Sequence, residues 1–200
     1  MPQFDLRHIY AAKYVNTNGT ISYTSPQQVG DAMTANLELR YAEGRLYAES
    51  TLAEYMRKAV GGTISLGVKY IKDAAQQMLF GKRTKTRSIT YTPAGSTAST
   101  TTSVAGLTIG GSDEGQYVGV AFYSPDLVDG DKKFTCVFIH KALFGPPSMA
   151  LQTAGENITF NTPTTSGEFL ADDSATHELF ETAVVDTEET AIAWVTAVLA

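Results

Sequence analysis

The chain has 200 residues, of which 43% are hydrophobic, and a formal net charge of −6. This length suits one domain with its own core, and the negative charge argues against a protein that grips nucleic acid through its phosphates. The single cysteine, Cys136, excludes an intrachain disulfide framework and a cysteine-rich zinc site, and no apolar run is long enough to cross a membrane.

The first third of the chain predicts short antiparallel strands. Residues 4–15 contain an alternating stretch typical of a strand, and the Asn18-Gly19 pair that follows favours a turn because both residues tolerate positive φ. Residues 34–41 alternate clearly between polar and apolar side chains. We expect Glu43-Gly44 to turn that strand into a second one over 45–49, with one face of this hairpin on a core and the other in water or on a partner.

The segment that follows is ambiguous. Residues 50–60 predict a projecting arm, with a short helix as the alternative, and residues 63–68 predict another strand. Over 71–80 the apolar period changes to that of a helix, and Gly81 stands where a helix C-cap belongs. We expect this helix to lie on a sheet.

Two polar stretches come next. Residues 82–87 form a short basic run, for which a solvated edge or a docking site for another copy's acidic end is favoured over a nucleic-acid contact, because no aromatic residue is interleaved. Residues 93–103 are rich in serine and threonine and predict a flexible loop, although their β-branched content leaves room for an irregular strand.

The second half of the chain predicts more strands and a terminal helix. Residues 116–123 and 133–141 are β-branched and aromatic runs joined by turn residues, which is typical of an antiparallel hairpin. Residues 156–162 and 167–171 predict two further strands. Thr187 is suited to cap a short helix over 188–199, which we expect to dock through Trp194.

Charge is unevenly distributed along the chain. No lysine or arginine follows Lys141, and residues 142–200 carry nine acids. The other 12 acids and all 15 bases lie before residue 142, which leaves that part at net +3. An acidic segment over 171–200 and a positive front favour head-to-tail self-association, with a merely solvated acidic end as the alternative.

No catalytic motif is present. His8, His140 and His177 show no metal-ligand spacing, and the Asp172-Asp173 pair is typical of a solvated turn. The glycine-rich residues 106–115 lack the lysine and hydroxyl residue of a phosphate-binding loop. We therefore predict no catalytic, cofactor-binding or metal-binding residue, and a protein that is not an enzyme.

Several phrases of the sequence resemble the major tail proteins of long-tailed, non-contractile bacteriophages, which are the subunits of the tail tube. They are GGTISLGV at 61–68, YVGVAF at 117–122, VDGDKKF at 128–134, FGPPS at 144–148 and, above all, GENITFNTPT at 155–164. The resemblance covers most of the chain. The phrases are specific in combination and weak singly.

This resemblance implies a mainly β fold of the α+β kind: a β-sandwich of two stacked antiparallel sheets, with a helix near 71–80 and another near 188–199, in a single domain over 1–200. It implies hexameric rings stacked head to tail into a tube that conducts double-stranded DNA. Expected partners are a tape-measure protein, a tail terminator and distal tail proteins. The expected location is the virion tail, assembled in the host cytoplasm, with no cofactor and no membrane.

Two groups of residues are candidates for the contacts between subunits. The first would line the lumen or pair between subunits: Thr34, Asn36, Glu38, Arg40, Arg45, Tyr47, Glu49, Thr63 and Ser65. The second, on the arm, would reach a neighbouring ring: Leu52, Glu54, Tyr55, Arg57 and Lys58. The alternative function is a β-sandwich adhesin or decoration module that binds a receptor through its loops.

Overall fold

A computed structural model of the protein describes residues 5–128, 130–148 and 162–200. In these residues the chain is mainly β, with antiparallel sheets and two helices. The strands are β1 (Arg7–Thr17), β2 (Thr20–Gly30), β3 (Ala32–Ala48), β4 (Thr51–Val68), β5 (Arg83–Tyr91), β6 (Thr100–Thr108), β7 (Val118–Val128), β8 (Asp131–Phe144), β9 (Thr164–Leu170) and β10 (Phe180–Val185). The helices are α1 (Asp73–Phe80) and α2 (Glu188–Val198).

Hydrogen bonds join eight of these strands in one sheet and leave β5 and β6 as a separate two-stranded sheet. The order in the large sheet is β2-β1-β7-β8-β9-β4-β3, and β10 pairs with β8 off this path. The expected arrangement of two stacked sheets therefore stays a prediction, since the eight strands share one hydrogen-bonded network.

Strand β8 is the branch point of that network. Its residues from Phe134 to Ile139 pair with β10, whereas those from Lys141 to Phe144 pair with β9. Along its other edge β8 pairs with β7 from Val128 back to Val118. One long strand thus holds both halves of the sheet in fixed register.

The main core is built from side chains of both ends of this sheet. Side chains of β1, β4, β7 and β8 form one buried cluster with α1, including Ile9, Leu66, Val120 and Leu79. A groove of about 280 Å³ separates the start of β3 from β7 and β8. Apolar side chains from both ends of the strand order therefore belong to one buried cluster.

A second, smaller core covers the other face of β1, β7 and β8. There Ala191 and Val195 of α2 pack with Tyr123, Phe134 and other buried side chains. Cys136 belongs to this cluster, and burial raises the pKa of its thiol to about 11, so that the thiol stays protonated at neutral pH. Cys136 is therefore a buried core residue.

Several local predictions are confirmed. Asn18 and Gly19 both have positive φ in the turn between β1 and β2. Helix α1 ends at Gly81, which is left-handed, and Thr187 caps α2 by accepting a hydrogen bond from the Thr190 backbone N–H at 3.2 Å. In each case the conformation follows from local side-chain chemistry.

The predicted turn at Glu43-Gly44 is wrong. Gly44 lies inside β3, opposite Met56 of β4, and the turn is made by Glu49 and Ser50, which both have positive φ. A glycine marks a turn only where the backbone needs its conformation, and here the cross-strand pairing continues through it. The helix considered for 50–60 is also wrong, because those residues belong to the turn and to β4.

The structure also differs from the prediction in the number and the bounds of the strands. β2 was not predicted, the predicted loop over 93–103 already becomes β6 at Thr100, and the strand expected at 167–171 is β9, which β10 follows. The predicted strand at 156–162 lies almost wholly outside the described residues.

Two glycines of the β3–β4 hairpin provide a test of this packing. A Cβ on Gly62 would lie 2.1 Å from the Glu38 carbonyl oxygen and 2.5 Å from the Phe169 ring, whereas a Cβ on Gly44 would meet nothing within 4 Å. We expect Gly62→Ala to lower the free energy of unfolding by about 1–3 kcal/mol, the range for overpacking. Gly44→Ala should leave it unchanged within about 1 kcal/mol. Urea denaturation measures both, and equal effects would contradict the pairing described.

Candidate assembly surface

The outer part of the β3–β4 hairpin is a two-stranded ribbon with no core beneath it. Every residue from Tyr41 to Lys58 is exposed. Among the described residues, β9 pairs with β4 only between Gly62 and Gly67, so beyond that point β3 and β4 pair only with each other. We call residues 41–58 the arm. It is longer than the arm predicted at 50–60 and is built from both strands.

One face of the arm is a ladder of aromatic and charged side chains. The guanidinium of Arg57 lies 3.7 Å from the Tyr41 ring centroid, and that of Arg45 lies 5.7 Å from the Tyr55 ring centroid. Glu43 lies between the two arginines, at 3.4 Å from Arg45 and 3.5 Å from Arg57. These cross-strand contacts stabilise the ribbon modestly, as exposed pairs do.

The opposite face of the arm has no ladder of this kind and bears exposed apolar side chains beside Glu54 and Lys58. By strand alternation Leu46 and Met56 lie on it, and they are 58% and 74% exposed. Tyr47 and Leu52, near the turn, are also more than half exposed. A ribbon that exposes this much apolar surface is typical of a contact made with another molecule.

A polar face lies at the base of the same hairpin. Thr34, Asn36, Glu38 and Arg40 alternate with the core-packed Ala35, Leu37 and Leu39, and their cross-strand neighbours Thr63 and Ser65 lie on the same side. Strand β9 extends this side with Thr164, Ser166 and Glu168. The structure thus brings six predicted lumen residues together on one solvent-facing side of β3 and β4.

The other three predicted lumen residues do not share this face. Alternation along β3 puts Arg45 and Tyr47 on the opposite side, within the arm, and Glu49 is in its turn. They lie apart from Thr34 because the turn comes six residues later than predicted. The five predicted arm residues, Leu52, Glu54, Tyr55, Arg57 and Lys58, all lie on β4 within the arm and are exposed.

The β5–β6 sheet is a second exposed hairpin. Arg83, Lys85 and Arg87 alternate along one face of β5, and of these Arg83 pairs with Asp113 at 3.0 Å. A groove of about 210 Å³ runs beside Lys85 and Arg87. The basic run of the sequence is therefore a solvent-exposed strand face, in agreement with the solvated edge that the sequence favoured.

Half of the described acids at the acidic end of the chain pair with a lysine or arginine of the same molecule. Of its described acids, four pair with bases from the first 141 residues: Glu168 with Arg40, Asp173 with Lys141, Asp186 with Lys133, and Glu188 with Arg7. The tertiary fold thus brings the positive front and the negative end together. This weakens the expected charge-driven association between copies.

Asp173 anchors the segment between β9 and β10. Its carboxylate accepts hydrogen bonds from the Lys141 ammonium at 2.9 Å, the Tyr14 hydroxyl at 2.9 Å and the Asn16 amide at 3.2 Å. Lys141 first, then Asn16 and Tyr14, lower the pKa of Asp173 from 3.8 to about 2. Its neighbour Asp172 is 5% exposed, so the prediction of a solvated carboxylate pair is wrong.

The chain was compared with known proteins. No model of a known protein family matches it, and no curated protein matches it in sequence. None of the helices in the described residues is long and apolar enough to cross a membrane. The case for a function therefore depends on the arm, the polar face and the charges themselves.

The Asp173 anchor gives a prediction about pH. A carboxyl whose pKa is lower in the folded state stabilises the fold above its unfolded pKa, and this contribution is lost as pH falls through the folded pKa. We expect Asp173→Asn to lower the free energy of unfolding at pH 7 by about 1 kcal/mol or less, since the side chain is 43% exposed and solvent screens it.

The difference in free energy of unfolding between Asp173→Asn and the wild-type chain should decrease between pH 4 and pH 2. This interval is bounded by the ordinary pKa of 3.8 and the lowered value of about 2. Chemical denaturation at several pH values measures it. Glu181→Gln, which removes an exposed acid on β10, is the control and should show no such trend. An equal loss at pH 2 and pH 7 would contradict the role given to Lys141.

Proposed function

We propose that this chain is the subunit of a hollow tube, the tail tube of a long-tailed, non-contractile bacteriophage. In this proposal six copies form a ring, the rings stack head to tail, and double-stranded DNA passes through the bore. The fold would be a tail-tube sandwich in which the two ends of the sheet stack around the main core. The tube would belong to the virion tail and be assembled in the host cytoplasm, with a tape-measure protein, a tail terminator and distal tail proteins as partners.

The observation that carries the proposal is the arm. An isolated two-stranded hairpin is at best marginally stable in water, and this one exposes Leu46, Tyr47 and Met56 without a core beneath them. A partner that covers the arm would remove this surface from water and stabilise the hairpin. In a tube of identical subunits, the partner is the neighbouring ring.

Unpaired strand edges support the same proposal. β2 and β3 end the strand order, and each has a single hydrogen-bonded neighbour among the described strands. Exposed edges pair readily with other chains unless they are covered. Pairing between neighbouring subunits would cover them and close the sheets into a ring, since head-to-tail contacts generate rings or filaments rather than closed dimers.

The polar face at the base of the hairpin is suited to a DNA conduit. It bears hydroxyl and amide side chains, and its charges are Arg40, Glu38 and Glu168, of which Arg40 and Glu168 lie 3.6 Å apart. A face with one base and two acids attracts phosphate weakly. Weak attraction is what passage requires, because each phosphate contact made by a cation would retard the DNA.

The alternative function, a receptor-binding adhesin or decoration module, is favoured by one observation. The β5–β6 hairpin is as exposed as the arm and presents Ile89, Tyr91 and Val104 with its three cations. An adhesin would bind through such a hairpin and would remain a monomer or a small oligomer. Truncating each hairpin separately distinguishes the two functions.

Shortening the arm should abolish tubes and leave a folded subunit. Because Ala42 and Lys58 face each other, residues 43–57 can be replaced by Asn-Gly, which closes a short hairpin there. We expect hollow tubes of uniform width from the wild-type chain by negative-stain microscopy. The truncated variant should be monomeric by analytical ultracentrifugation, with a melting temperature close to that of the wild-type chain.

The matched control shortens the second hairpin. Ser88 and Ser103 face each other, so residues 89–102 can be replaced by Asn-Gly in the same way. This variant should still form tubes. Tube formation by the arm variant would contradict the proposed role of the arm. Loss of tubes in both variants would mean that assembly does not depend on the arm in particular. A wild-type chain that stays monomeric at high concentration favours the adhesin.

A single substitution tests the face of the arm that bears Leu46 and Met56. Met56→Lys puts a charge on a side chain that is 74% exposed, so the folded subunit should lose no more than about 0.5 kcal/mol. The charge would be desolvated in the inter-ring contact, and the protein concentration needed for assembly should rise at least tenfold. Ile89→Lys on the other hairpin is the control, and an equal rise there would contradict the assignment. Light scattering against concentration measures both.

A further inference from the structure

His140 lies at the branch point of the sheet. The last pair between β8 and β10 is Ile139 with Phe180, and the first between β8 and β9 is Lys141 with Leu170. The segment 171–179 joins β9 to β10 and closes over this point. The backbone N–H of His140 donates to the Leu179 carbonyl at 3.3 Å, so the imidazole faces a segment that is fixed at both ends.

Two carboxylates from that segment flank the imidazole. Nε2 of His140 lies 3.5 Å from Oε2 of Glu178, and Nδ1 lies 3.7 Å from Oδ2 of Asp172. One ligand atom from each of the three residues can be chosen so that all lie within 4.8 Å of one another. The distances to the ring nitrogens are too long or too poorly aligned for hydrogen bonds.

Within residues 5–128, 130–148 and 162–200, each of the three side chains keeps one atom without a hydrogen bond. His140 is 8% exposed, and its Nε2 is buried with no hydrogen-bond partner. The hydrogen bonds of Asp172, from Ser174 and the Glu178 backbone N–H, all reach Oδ1 and leave Oδ2 free. Thr176 donates to Oε1 of Glu178 and leaves Oε2 facing the imidazole.

A cation would complete this arrangement. Leaving a buried polar atom without a partner is unfavourable, and within the described part of the chain neither Asp172 nor Glu178 has a lysine or arginine partner. One imidazole and two carboxylates are a donor set for Zn²⁺ and similar ions. Two ligands of one tetrahedral Zn²⁺ are about 3.3 Å apart, given metal–ligand bonds of about 2.0–2.1 Å, and the observed separation of Nε2 and Oε2 is close to this.

We propose that His140, Asp172 and Glu178 form a binding site for a divalent transition-metal ion of the zinc type. Nε2 of His140, Oδ2 of Asp172 and Oε2 of Glu178 are its ligands, and water fills the open position on the side where Glu178 is exposed. The ion links β8 to the segment between β9 and β10, so its role is to fix the branch point. The proposal does not depend on the proposed tube function.

The experiment is a metal titration of the full chain after treatment with a chelator. Zn²⁺ is titrated in competition with a chromophoric chelator, and Co²⁺ is followed through its visible absorption bands. We expect one equivalent to bind with micromolar or tighter affinity and the melting temperature to rise with Zn²⁺. Glu178→Gln should weaken binding at least tenfold, and its melting temperature in metal-free buffer shows that it folds.

Two controls separate this site from adventitious binding. Glu181→Gln makes the same charge change on an exposed residue of β10, and His177→Asn removes an exposed histidine at a position of positive φ, where asparagine is tolerated. Both should bind Zn²⁺ as the wild-type chain does. Absence of stoichiometric binding, or equal weakening by Glu181→Gln or His177→Asn, overturns the proposal. So does a ¹⁵N spectrum in which the signals of the His140 ring nitrogens do not change when Zn²⁺ is added.

Discussion

The fold depends on the way β8 divides its pairing between two partners along one edge. β10 occupies this edge up to Ile139 and β9 occupies it from Lys141, while β7 holds the other edge. Since β9 leads to β4 and β3, this division determines where that end of the sheet joins β8. The apolar sides of both ends, and α1 with them, then meet in one core. Register along β8 thus decides which residues of distant strands face each other.

The same division determines where the supported sheet ends. β9 pairs with β4 only as far as Gly62, and the core-packed residues of β3 end at Leu39. The hairpin continues beyond both limits, so the arm is exposed on both faces. Its aromatic and charged ladder favours a ribbon, yet exposed contacts of this kind contribute little each. Its stability has to come from the rigid base or from another molecule, and its exposed apolar side chains favour the second.

What the sequence predicts well is what local chemistry decides. Asn18-Gly19, Gly81 and Thr187 specify their turns and caps through backbone conformation and short hydrogen bonds, and both helices were found from such signals. The β3–β4 turn was misplaced because Gly44 is a local signal that long-range pairing overrides. His140 and Asp172 were assigned no role because they come together only through tertiary structure. The polar face could be predicted because strand alternation needs no tertiary information. Arg45, Tyr47 and Glu49 were added to it because the turn was misplaced.

Charge and shape play different parts in the proposed assembly. Four of the eight described acids after Lys141 pair with bases of the same molecule, so less complementary charge remains to orient one copy against another. Open strand edges attract other chains, but backbone pairing alone does not fix register. In the proposed assembly the arm would supply this register, because exposed side chains such as Leu46 and Met56 pack best on a surface of complementary shape. In this view the edges join subunits within a ring, and the arm sets how one ring lies on the next.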